Sequence, residues 1–103
     1  MKKIQGNEIE SLISVGSVYL QFSATWCGPC KSLKRTVESV SGDHPDVNFY
    51  YVDIDECDPQ VLKKFDIRSV PKTYFYKDSK EVSHSLGSIP VAKLKEALNS
   101  ICV

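Results

Sequence analysis

Apolar residues recur along the chain in two rhythms, and their alternation predicts the architecture before any chemistry is considered. Ile9, Leu12 and Ile13 share one helical face behind Asn7, which with Glu10 has the spacing of a capping box. Gly16-Ser17 ends that helix, and Val18-Tyr19-Leu20-Gln21-Phe22 follows as a compact, largely apolar strand. After Trp26, apolar positions return at Cys30, Leu33, Val37 and Val40, which predicts an amphipathic helix ending near Gly42. Val47-Asn48-Phe49-Tyr50-Tyr51-Val52 is a strand apolar on both faces, of the kind found in the middle of a covered mixed or parallel sheet. Asp58-Pro59 reads as an N-cap with proline at the first helical position, ahead of Val61, Leu62 and Phe65. Thr73-Tyr74-Phe75-Tyr76 and residues 82–86 flank a short polar turn and so form an antiparallel hairpin. A last helix begins near Pro90, with Val91, Leu94, Leu98 and Ile101 inward and Lys93, Lys95 and Glu96 outward. The order β-α-β-α-β-α-β-β-α predicts an α/β fold, a three-layer sandwich of helices around a mixed sheet.

Size and charge narrow the function. The 103 residues fit one domain spanning residues 1–103, large enough to bury a core without covalent staples. Thirteen basic residues balance thirteen acidic ones, so there is no long-range pull toward nucleic acid or an anionic membrane. Lys2 and Lys3 mimic the start of a signal peptide, but Glu8 and Glu10 interrupt before any apolar stretch develops. No apolar run approaches the roughly 20 residues of a membrane span. A cytoplasmic location is expected, where thiols are kept reduced and a close cysteine pair is metal-binding or catalytic.

Cys27 and Cys30 are that pair, at the junction of a predicted strand and helix. Residues three apart on a helix share a face, so the two sulfurs can meet in a small disulfide ring. Cys27 stands at the helix start, where unpaired N–H groups and the positive dipole end favour an anion. This position should lower the Cys27 pKa and make it the nucleophile, while Cys30, one turn inside and less exposed, resolves. Pro29 suits the first turn, where its missing N–H costs nothing. Zinc would need two further ligands, and Cys57, Cys102, His44 and His84 are scattered without a second pair. No metal is expected, and both histidines read as surface residues.

The segment Phe22-Ser23-Ala24-Thr25-Trp26-Cys27-Gly28-Pro29-Cys30-Lys31 resembles the active-site segment of thioredoxins, especially eukaryotic ones. Val52-Asp53-Ile54-Asp55 is similar to that family's central strand end, Arg68-Ser69-Val70-Pro71 to its cis-proline loop, and Gly87 to its glycine before the last helix. The resemblance implies a thioredoxin fold and a thiol-disulfide oxidoreductase that reduces protein disulfides through Cys27 and Cys30. It further implies a cis Val70–Pro71 bond facing the disulfide. Trp26 and Gly87 would flank a shallow apolar groove, with Gly28 and Pro29 supporting the site. A separate NADPH-dependent thioredoxin reductase would restore the dithiol, so no cofactor is expected on this chain. A monomer that carries electrons to disulfide-containing proteins and serves redox homeostasis fits the same picture. The alternative is a thioredoxin-fold binding or assembly module with dispensable redox activity. The Gly-Pro dipeptide resembles reductases more than oxidases or isomerases.

Several positions depart from the family. Gln21 stands where thioredoxins usually place a buried aspartate that accepts the proton of the resolving cysteine, and glutamine does not titrate. Tyr51 stands where many bacterial members carry that carboxylate's lysine partner. Gln21 and Tyr51 are therefore expected to line a neutral cavity behind Cys30. Arg35 replaces a kinking proline, which predicts a straighter helix. Lys72, with Lys31 and Lys34, forms a basic groove rim or is simply solvated. Cys57 lies where some eukaryotic thioredoxins carry a regulatory cysteine, and its other reading is an inert, partly buried thiol; Cys102 reads as an exposed thiol.

Overall fold

In the computed structural model, which describes residues 1–102, the chain runs β1 (Lys2–Lys3), α1 (Ile9–Leu12), β2 (Ser17–Ser23), α2 (Gly28–Ser41), β3 (Val47–Asp53), α3 (Pro59–Lys64), β4 (Lys72–Lys77), β5 (Lys80–Leu86) and α4 (Val91–Ile101). The strands form one sheet in the order β1-β3-β2-β4-β5. β1, β3 and β2 are parallel, while β4 runs antiparallel to β2 and β5 to β4. This is the expected mixed sheet with helices on both sides.

Alternation along β2 divides the interior. Tyr19 faces Leu33 and Val37 of α2 and Leu94 and Leu98 of α4, whereas Val18, Leu20 and Phe22 face Ile9, Val61 and Phe65 on the other side. Every residue from Ser17 to Phe22 is buried. β2 is thus the covered centre, a place the hydrophobic pattern suggested for β3. In β3, Asn48 is exposed and Phe49, Tyr50 and Tyr51 are only partly buried. The reason is its outer neighbour: β1 is two residues long and pairs only with Tyr50 and Tyr51.

Two further expectations shift by a residue or two. The capping pair is Gln5 and Glu8 rather than Asn7 and Glu10: the Glu8 carboxylate accepts the Gln5 N–H at 2.8 Å, and the Glu8 N–H donates to the Gln5 carbonyl at 3.0 Å. A 3₁₀ turn over Gly6–Glu8 therefore precedes α1. A Cβ on Gly6 would stand 2.8 Å from the Cys57 sulfur, so a larger residue there requires that side chain to shift. At the other end, Val91 is 46% exposed and Ile89, from the preceding loop, fills the core position at 7%. Pro90 caps α4, and Leu94 is the first residue of the helix to reach the core. Asp58 and Pro59 start α3 as expected, with the Asp58 carboxylate accepting the Gln60 N–H at 2.8 Å. α2 is one unbroken helix of 14 residues.

Candidate active site

The strand-to-helix corner after β2 brings Cys27 to the N-cap of α2, with extended φ/ψ of −94° and 107°. Its sulfur accepts the Cys30 N–H at 3.2 Å, occupying one of the helix's unpaired donors. Gly28 and Pro29 make the exposed first positions of the helix. Cys30, one turn in, places its sulfur at disulfide distance from that of Cys27, with the Cα atoms 5.3 Å apart. The expected difference in exposure between the cysteines is small, 5% for Cys27 and 3% for Cys30. What separates them is what each faces.

Cys27 faces the loop before β4. Its sulfur lies 3.7 Å from the Val70 carbonyl, and the Val70–Pro71 bond is cis. Trp26 is 67% exposed, held by an N–H···O bond of 2.9 Å from its indole nitrogen to the Asp55 carboxylate. Between Trp26 and Val70 lies a hollow of about 280 Å³ with apolar walls from Ile54, Leu62 and Ile67. Gly87 does not line it. Its N–H donates to the Pro71 carbonyl at 2.8 Å, and its φ of +84° is comfortable only for glycine.

Cys30 faces the interior, where Gln21 and Tyr51 part company. The Gln21 side chain is packed and bonded: its amide nitrogen donates to Ser23 Oγ at 2.8 Å and to the Cys30 carbonyl at 3.3 Å, and its oxygen accepts the Tyr19 hydroxyl at 2.7 Å. Burial pushes the Tyr19 hydroxyl pKa well up, so it remains a donor at neutral pH. Tyr51 instead lines a second cavity of about 280 Å³ with Cys30, Lys31, Lys34 and Asp53. The cavity expected to be neutral is thus bordered by a carboxylate, and Gln21 is not among its walls. Gln21→Leu would take the Gln21 oxygen from the fully buried Tyr19 hydroxyl and the amide donor from Ser23 Oγ and the Cys30 carbonyl. It should lower stability by about 1–3 kcal/mol, read as a reduced urea midpoint, and an unchanged midpoint would deny these bonds net stabilising value.

The basic rim is not assembled. Lys72 turns back to donate to the Phe65 and Asp66 carbonyls, and Lys34 sits 4.8 Å above the Tyr51 ring. The Lys72 ammonium also lies 5.2 Å from the centre of the Tyr74 ring, whose hydroxyl donates to the same Phe65 carbonyl. The other cysteines lie away from the pair. Burial, then the neighbouring Asp58, pushes the Cys57 thiol pKa up. Burial followed by Asp46 does the same for Cys102. His44 is buried at 8% exposure against Cys102, 3.3 Å from its sulfur, and so is not the surface residue expected; His84 is exposed and pairs with Glu81. Among the described residues no group of three or more His, Cys, Asp or Glu could hold a metal ion, and no helix is long and apolar enough to cross a membrane.

The chain is similar to known proteins. A family model described as thioredoxin matches residues 2–100. The chain is 38% identical over 92 residues to a thioredoxin of Mycoplasmoides gallisepticum, covering 88% of this chain and 91% of that one. To thioredoxin-2 of Saccharomyces cerevisiae it is 38% identical over 96 residues, covering 91% and 90%. The X-ray structure of Fasciola hepatica thioredoxin superposes with a TM-score of 0.85 at 30% identity, covering 98% of this chain and 99% of that one.

Proposed function

The chain belongs to the thioredoxin family and is a thiol-disulfide oxidoreductase, and from that premise we propose that Cys27 attacks the disulfides of protein substrates and Cys30 resolves the product. The observation that carries this division of roles is the placement of Cys27 at the N-cap of α2, beside the Cys30 N–H and the Val70 carbonyl. The helix N-terminus favours the Cys27 thiolate, and the thiolate is the attacking species. Its sulfur bonds to one sulfur of the substrate and expels the other as a thiolate. Cys30 then attacks the Cys27 sulfur, forming the intramolecular disulfide and expelling the second substrate thiolate. Two electrons pass from the dithiol to the substrate.

The hollow between Trp26 and Val70 suits an apolar segment of substrate beside its disulfide. Gly28 and Pro29 keep the approach to Cys27 low, while Gly87 and Pro71 fix the loop opposite. A thioredoxin reductase using NADPH would return the disulfide to the dithiol. The chain would act as a single domain and a monomer in the cytoplasm, carrying electrons for redox homeostasis.

The test is stoichiometric. Reduced protein mixed with excess insulin, whose interchain disulfides are accessible, should release two insulin thiols per molecule as its own pair becomes oxidised. A reduction potential below that of the glutathione pool should accompany this. No thiol release, or a potential well above that of glutathione, would remove the reductive role.

A further inference from the structure

If Cys30 is the resolving thiol, as the preceding reading holds, it must lose a proton before it attacks, and residue 21 offers no base. Gln21 cannot titrate, and its hydrogen bonds are already made to Tyr19, Ser23 and the Cys30 carbonyl. The cavity on the other side of Cys30 does offer one. Asp53 is 8% exposed and is the only carboxylate among the described residues lining that space. It ends β3 in register with Ser23 of β2, two residues beyond the Gln21–Tyr51 pair and on the same face of the sheet. One carboxylate oxygen accepts the Asp55 N–H at 2.9 Å, which caps the turn that presents Asp55 to Trp26. A volume of about 280 Å³, lined by both Cys30 and Asp53, has room for several water molecules.

The other charged groups around the cavity serve less well. Lys31 and Lys34 face it from α2, and an ammonium group donates protons but has no lone pair to accept one. Tyr51 faces it from β3 with its ring under the Lys34 ammonium. The Met1 nitrogen, at 3.8 Å, is directed to Glu38. On β1, Lys3 senses Asp53 but pairs with Glu56. We propose that Asp53 takes the Cys30 proton through solvent in this cavity as Cys30 attacks the mixed disulfide. The Cys30 S–H bond breaks and its proton passes by way of water to the Asp53 carboxylate. The Cys30 sulfur bonds to Cys27, the Cys27–substrate S–S bond breaks, and the substrate leaves as a thiolate that collects a proton from solvent.

Asp53→Asn separates this role from capping, since an asparagine oxygen still accepts the Asp55 N–H. The experiment measures two rates for wild type and Asp53→Asn across pH 6 to 10 with insulin. One is adduct formation at Cys27, followed in a Cys30→Ser background; the other is substrate release from the preformed mixed disulfide. Release should slow about 10-fold or more at pH 7 in Asp53→Asn. The gap should close above about pH 9, where a thiol ionises unaided. Adduct formation should keep its wild-type rate. A release profile identical to wild type would overturn the proposal, and so would equal slowing of both steps. If wild type itself releases no insulin thiols, the proposed function falls. If it does and Asp53→Asn matches it, only Asp53 loses its role.

Discussion

Replacing Cys27 with serine should abolish insulin reduction, lowering the rate by about 1,000-fold or more to the uncatalysed background. The thiolate is the only species at that site that can attack sulfur and then carry a disulfide, and a serine hydroxyl does neither. The structure makes the test clean. Cys27 lies in an extended N-cap conformation that serine prefers, and a serine oxygen accepts the residue-30 N–H as the sulfur does. The covalent ring closed by Cys27 and Cys30 is short, so losing it should cost about 2 kcal/mol at most relative to the oxidised protein. Urea midpoints of Cys27→Ser and reduced wild type should therefore be close. Substantial insulin reduction by Cys27→Ser would overturn the assignment of the nucleophile. Loss of activity with a native midpoint separates chemistry from folding.

Much of this was legible in the sequence, and what was not has a common cause. The apolar rhythm of Cys30, Leu33, Val37 and Val40 reports one face of a single helix, and α2 buries those residues. Asp58-Pro59 and the position of Cys27 are likewise local, decided by cap chemistry within a few residues. The central place of β2 is a property of strand order, which periodicity does not encode, so the aromatic β3 looked more central than its two-residue neighbour allows. His44 is buried by a contact with Cys102 across 58 positions, beyond any local pattern. Asp53 carried a usable signal: it alternates onto the same face as Tyr51, already marked as a wall of the space behind Cys30. That Gln21 would instead be filled by Tyr19 and Ser23 required the same-face i, i+2 contacts along β2 to be read as hydrogen bonds rather than as packing.

Replacing Cys30 with serine should have a different signature, because it stops the cycle after the first bond forms. Cys27 should still attack, since Cys30 supports it through a main-chain N–H that serine retains. The Gln21 bond likewise ends on the residue-30 carbonyl, so the helix start stays held. A serine hydroxyl cannot displace the substrate thiolate, so the mixed disulfide should accumulate to about one equivalent and persist. Non-reducing electrophoresis would show the adduct and dithiothreitol would dissolve it, while multiple turnover falls by about 100-fold or more. Adding Asp53→Asn to this variant should leave adduct formation as it was, because the proton Asp53 receives belongs to a thiol no longer present. Rapid turnover by Cys30→Ser with no trapped adduct would mean that an external thiol, and not Cys30, completes the reaction. A trapped adduct places the second chemical step at Cys30, and the comparison of Asp53→Asn with wild type then decides whether that step draws on the carboxylate lining the cavity.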